Sequence, residues 1–443
     1  MKNISKFFLI ILLAIGSVLP LSAQEKDAEI NTIYRRSSLY PVLLVTNPAF
    51  SDESDSTLND MVMKSYEKAP FPDKYNDHRV FDASFKFSDY VDVKATDDAK
   101  KDAKKNGKKN NQRKIDLKYI SAINKYMNEK KIAHKMVAKW FNRKENGMFD
   151  ANLIAERGSY DASKMQVALA SASIRGMADV QDAGYELINK TFFVVNKMKF
   201  VKNEPIAKAI EISAIAIAEK TIKNDLAQAL AIKAAEIAYN ASKDGYSVWT
   251  ASYLYQLDWN EDIAYNFYDN MWMDESWTDS TDLSKEARKA AFDTTSIFKF
   301  KYLGFQKAKS LVLISAGKKT EEIIQVATIR NVDRVYTKLQ KAYDVFKTKT
   351  PILSTDPVTA SIGLKEGVES GDKFDVLEMV VDSKTGLTKY DKVGQVKANK
   401  KGLWDNRYNM KIEENPEDVE IKATMFKGGG KKIMSGMLLR QVK

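Results

Sequence analysis

Four of the six tryptophans, Trp249, Trp259, Trp272 and Trp277, fall between Tyr246 and Trp277. Tyr246, Tyr253, Tyr255, Tyr265, Phe267 and Tyr268 accompany them, with Asp258, Glu261, Asp262, Asp269, Asp274 and Glu275 interleaved. Aromatic faces stack on sugar rings, and two carboxyl groups facing each other across a sugar-sized gap do acid/base work on a glycosidic bond. On that reading a glycan-binding or carbohydrate-active site would comprise Trp249, Tyr253, Trp259, Asp262, Trp272 and Trp277. The competing reading makes Ser247 to Leu257 a β-hairpin whose rings pack under neighbouring helices while the acids face water. Spacing alone does not pair carboxylates, so the second reading is our expectation and the first its alternative.

Few other residues offer chemistry. The chain has no cysteine, which excludes disulfides, thiolate metal sites and a cysteine nucleophile. Its two histidines, His78 and His134, are remote in sequence, and a metal ligand normally needs companions. We expect no metal, no cofactor and no catalytic residue. The run Asp97 to Lys114 holds seven lysines and one arginine with scarcely an apolar residue, so it could touch phosphates or anionic glycans. No aromatic is interleaved for base stacking, and nucleic acid is a poor fit. A solvated loop or helix end is the simpler account.

The first residues suggest where the chain works. Basic Met1-Lys2-Asn3-Ile4-Ser5-Lys6 precedes apolar Phe7 to Ile15, and Leu21-Ser22-Ala23 leads to Gln24. This order predicts a secretory signal peptide, residues 1–23, cut between Ala23 and Gln24. Removing Lys2 and Lys6 would bring the formal charge from +11 to +9. Such a balance suits an anionic envelope polymer.

Positioning elements follow from periodicity. Residues 24–114 read as an N-terminal arm and basic loop, with Ser38 to Val45 an arm or edge strand because Pro41 argues against a central one. Residues 115–350 read as a helix-rich α/β body. Its helices fall at Ile115 to Gly147, at Ser163 to Ala183, and in a buried hairpin from Ile206 to Ala241 that breaks near Asn224-Asp225. The charges of that hairpin recur too often for a transmembrane span. Tyr185 to Asn196 carries the strongest strand signal of the body, and Ser296 to Ile314 reads as a strand pair or a strand and turn. Thr320 to Lys347 is a long amphipathic helix to which we assign no chemistry, with Ile324, Val332, Val335, Leu339, Tyr343 and Phe346 along one face. Short strands with Gly-rich turns over residues 351–443 predict a small β-barrel. The expected fold is therefore α+β, a helix-rich body with a mixed sheet followed by a small C-terminal β-barrel.

The run Ile362-Gly363-Leu364-Lys365-Glu366-Gly367-Val368-Glu369-Ser370-Gly371-Asp372-Lys373-Phe374-Asp375-Val376-Leu377, with Gly436-Met437-Leu438-Leu439, resembles the C-terminal β-module of envelope assembly proteins of the FlgT-like flagellar outer-ring family. The strand and helix before it look distantly like the α/β unit of the CsgG-like curli secretion family. Lys139-Trp140-Phe141-Asn142-Arg143 and Leu153-Ile154-Ala155-Glu156-Arg157-Gly158 look like uncharacterised exported proteins of Bacteroidales-type bacteria. These resemblances imply a non-catalytic envelope protein in the periplasm or at the periplasmic face of the outer membrane. It would be a structural or adaptor component with an envelope protein partner.

Overall fold

A computed structural model describes residues 34–46, 50, 55–91, 107–159, 184, 186–275, 277, 282–313, 319–382, 388–408, 422–430 and 432–442. Ala23 and Gln24, the run 97–106 and the predicted helix 163–183 lie outside them.

The first strand, β1 (Ser38–Val45), is followed by α1 (Ser56–Glu67) and the short strands β2 (Asn76–Asp77) and β3 (Ser84–Lys86). Helices α2 (Gly107–Glu129), α3 (Ile132–Trp140) and α4 (Asn152–Ser159) lead to β4 (Thr191–Lys202). A helical pair, α5 (Asn203–Thr221) and α6 (Asp225–Ser242), separates β4 from β5 (Gly245–Asp258). Then come α7 (Glu261–Asn270), α8 (Asp282–Thr294), β6 (Lys299–Leu313) and α9 (Thr320–Ala342). The sheet runs β2-β1-β4-β5-β6 with β3 also beside β1. β1 is parallel to β2, β3 and β4, whereas β4, β5 and β6 are antiparallel, so the sheet is mixed.

Alternation sends each strand's side chains to two covered faces. Tyr40, Val42, Phe193, Val195, Tyr253 and Tyr255 meet Ile123, Tyr126 and Met136 of α2 and α3 on one face. Leu39, Phe192, Val194 and Leu254 meet Val335, Tyr336 and Leu339 of α9 on the other. The amphipathic helix expected at 320–347 lies along this face but ends at Ala342; Tyr343 follows it, and Phe346 joins the same core from a short 3-10 turn, Asp344–Phe346. Val62 of α1 and Ile324 of α9 close the far end of that face.

Four local expectations need correction. First, β1 is a central strand rather than an arm or edge. Leu39 O accepts from His78 N and Leu43 N donates to Ala83 O, so the odd residues of β1 point their polar groups toward β2 and β3. Pro41, with no N–H, falls in the gap between those two short strands, and the rule against central prolines is met locally. Second, the strand expected at 185–196 starts at Thr191 and runs to Lys202, because residues 186–189 are helical and bury Leu187 and Ile188. Third, Ser247 to Leu257 is no hairpin. It lies inside the 14-residue strand β5, and β6 is likewise a single 15-residue strand. Fourth, the helical hairpin is real and breaks at Asn224, but it is not buried.

The last third forms β7 (Thr350–Thr355), β8 (Val358–Ala360), β9 (Lys373–Val381), β10 (Thr388–Ala398), β11 (Thr424–Gly428) and β12 (Leu438–Gln441). They close in the order β10-β11-β8-β7-β12-β9, the small barrel that the strand and turn signals predict. Ile352, Val376, Val396, Phe426 and Leu439 fill its interior. Barrel and body meet at Glu186, which accepts from Tyr390 Oη at 2.9 Å and lies beside Arg36 and Lys349.

Candidate functional site

The aromatic cluster does not come together as one surface. Trp259 is 3% exposed and packs against Phe141, Phe267 and Phe298 at the end of the body sheet. Tyr253 is buried on the α2 face. Trp272 stacks on Phe149, and its indole N–H donates to Asp274 Oδ2 at 3.0 Å. Arg288 covers the Trp277 ring at 4.2 Å. Asp262 is exposed in the first turn of α7, where negative charge favours the helix start. Of the four rings only Trp249 lies well open, 46% exposed on β5 with Lys309 Nζ 4.6 Å from its centroid. Among the acids, Asp258 pairs with Lys301 at 2.6 Å and Glu275 with Lys144 at 2.9 Å.

Both histidines sit within packed structure. His78 stacks on Trp140, its Nε2 lies 2.9 Å from Met136 O and its Nδ1 lies 2.9 Å from Arg157 Nη1. The carbonyl requires a donor and the guanidinium an acceptor, which selects the neutral tautomer protonated at Nε2. Burial, helped by Arg157, holds the His78 pKa well below the usual imidazole value. Burial against Phe292 and Phe298 lowers His134 to about 4. Among the described residues no group of three His, Asp or Glu side chains is placed to hold a metal ion.

A depressed histidine pKa means that the unfolded chain binds protons the folded chain refuses. Stability is then fully present above about pH 6.5 and is lost as pH falls. Replacing His78 with Gln, which offers the same donor and acceptor, is expected to remove about 1.4 kcal/mol per pH unit from the stability slope between pH 6 and 4.5. Urea titrations at several pH values check this, and an unchanged slope would mean that His78 protonates freely in the folded chain.

The surface feature that sequence reasoning missed is the pair α5–α6. Pro205 suits the first turn of α5, and Asn224 caps α6 by accepting from Ala227 N at 2.9 Å. At its root, Asn203 donates to Val312 O at 3.2 Å and accepts from Ser247 Oγ at 3.1 Å, which ties the hairpin to β5 and β6. The buried residues of the pair are Asn203, Ala207, Glu211 and Ala218, all on α5, whereas α6 buries none. Facing away from the seam are two stripes with the same steps of four, three and four residues. One is Ile206, Ile210, Ser213 and Ile217, and the other is Leu226, Leu230, Lys233 and Ile237. All six Ile and Leu of these stripes are exposed, Leu226 by 72% and Leu230 by 63%. A repeat of this kind is what a helix shows to another apolar surface.

The hairpin is also electrically unlike the rest of the chain. Residues 203–242 carry four lysines against five carboxylates, within a chain of net charge +11. An apolar, nearly neutral projection on a basic body is poorly suited to an anionic lipid surface and well suited to an apolar protein face. No helix among the described residues is long and apolar enough to cross a membrane. The sequence signal was available, since both stripes are written in the spacing, but the alanines on the other faces make each helix apolar all round. In comparison with known proteins, the chain matches no family model and no curated protein.

Proposed function

We propose that the protein is a non-catalytic exported component of the bacterial envelope. It acts as a structural or adaptor element at the periplasmic side of the outer membrane, and it engages an envelope protein through α5–α6. The observation that carries this reading is the exposed pair of apolar stripes on the α5–α6 projection. The basic, apolar and small-residue order of the first 24 residues supports export, and the small barrel fits the assembly-protein resemblance of residues 362–377.

Glutamine keeps helix propensity while removing apolar surface. The triple variant Leu226→Gln, Leu230→Gln, Ile237→Gln should therefore fold with an unchanged melting temperature. A C-terminally tagged copy, crosslinked mildly in cells and purified from separated envelope fractions, should lose its protein partner relative to the unsubstituted chain. Retention of the same partner by the variant would remove the hairpin from the reading. Recovery of the unsubstituted protein alone, or with glycan and no protein, would sink the adaptor reading and favour glycan binding, for which Trp249 is the open ring.

A further inference from the structure

Between α9, the end of β6 and the barrel segment 364–369 lies a cavity of about 900 Å³, in the size range of ligand pockets. Its wall on α9 is a polar stripe at helical spacing, Arg330, Asp333, Arg334, Thr337, Lys338 and Lys341, on the side of the helix away from the apolar core. Four cationic heads are fixed by backbone carbonyls rather than by carboxylates. Arg330 Nε donates to Tyr408 O at 2.7 Å and Arg334 Nη1 to Lys309 O at 3.0 Å. Lys338 Nζ donates to Lys307 O at 2.8 Å and Lys341 Nζ to Gly367 O at 3.3 Å. A carbonyl orients a cation without cancelling its charge. Each guanidinium and ammonium keeps further N–H donors, and although Glu322 and Glu369 also line the cavity, cations outnumber carboxylates on its walls.

Asp333 stands in the middle of this stripe, and its Oδ2 is shut off from solvent with no hydrogen-bond partner. Lys365 and Glu366 on the barrel segment, Asp73 on the loop before β2, and Arg330 on α9 are the charged groups that face it. Burial is the main reason its carboxyl pKa is raised to about 7. Asp333 is half-buried and lines the cavity, so as a neutral acid it offers a donor that no hydrogen bond within the chain uses. Val326 and Val368 give the cavity an apolar flank beside the charges.

We propose that this cavity is a binding site for a phosphorylated saccharide, whose phosphate groups meet Arg330, Arg334, Lys338 and Lys341 and whose remaining oxygen accepts from Asp333. Guanidinium and ammonium groups together match phosphate oxygens, and the apolar flank accommodates the face of a sugar ring. The site is separate from α5–α6, and it stands or falls independently of the adaptor reading. Ionisation of Asp333 would place a negative charge beside the phosphate and remove the donor, so binding weakens as pH rises through about 7.

Isothermal titration of the purified protein with fructose 1,6-bisphosphate at pH 6 and pH 8 tests this, with inorganic phosphate and trigalacturonate as companion probes. Saturable binding at pH 6 is expected, severalfold weaker at pH 8 and at least tenfold weaker for inorganic phosphate and trigalacturonate. Arg334→Gln and Lys341→Gln lie at the rim and should each weaken binding severalfold with unchanged melting curves. Asp333→Asn keeps a donor and should abolish the difference between the two pH values. Absence of saturable binding, equal binding by the two rim variants, or tighter binding of trigalacturonate would each overturn the proposal.

Discussion

Trp259→Ala should lower the free energy of unfolding by about 3–5 kcal/mol, the usual loss when a fully packed large aromatic is truncated. The ring is 3% exposed among Phe141, Phe267 and Phe298, and its removal would leave a cavity bounded by side chains from α7, the residue that follows α3 and the residue that precedes β6. Trp249→Ala should cost under about 1 kcal/mol, because that ring is 46% exposed and forms a cation–π pair with Lys309 at the surface. Urea denaturation of the two variants side by side measures the contrast. Equal and small losses would mean that the Trp259 ring is open to solvent, and they would return it to the glycan alternative.

Asn196→Ala should cost about 3 kcal/mol, since several buried groups lose their partner at once. Asn196 Nδ2 donates to Tyr66 Oη at 2.9 Å and to Tyr336 Oη at 3.0 Å, and its Oδ1 accepts from Ser252 Oγ at 2.5 Å. One side chain on β4 therefore links β5, α1 and α9. Burial pushes both phenols up, so each hydroxyl keeps its proton but needs an acceptor or donor nearby. A double-mutant cycle with Tyr336→Phe should return a coupling of about 1 kcal/mol between the two positions. Strictly additive losses would contradict the shared network. The consequence extends beyond stability, because α9 carries the cationic wall of the cavity and the network seats α9 on the sheet.

How far the sequence could be read depended on whether a local pattern had one physical meaning. The 320–347 spacing had only one, since a single apolar stripe flanked by charge makes a helix on a sheet. The barrel was legible for a similar reason, with short strands between Gly-rich turns. Pro41 misled, because its cost depends on which neighbour its missing N–H would have faced, and the split into β2 and β3 is not written near it. The run 185–196 was ambiguous in principle, since Leu187 and Ile188 suit a buried helix end as well as a strand. A hairpin over Ser247 to Leu257 needs a turn that no two residues between them supply, and β5 accordingly runs unbroken for 14 residues.

The sites were less legible than the fold. Ala-rich helices with Ile and Leu on several sides look buried by composition, and exposure of α5–α6 follows from what fails to pack on them. Along α9 the polar stripe opposite the apolar one, Arg330 to Lys341, has in sequence the form of an ordinary solvated helix face. That stripe acquires chemical meaning only when the barrel segment 364–369 closes over it. Similarly, the aromatic cluster reads as one group in sequence, but β5 and α7 send its members to different faces.

The adaptor reading is tested most directly by a photo-crosslinking amino acid placed at Leu230 and, as a control, at Leu283, which is 81% exposed on α8. In intact cells the account predicts one discrete crosslinked envelope protein from position 230 and none from position 283. Crosslinks from position 230 to lipid or to a second copy of this chain, or no crosslink at all, would contradict it.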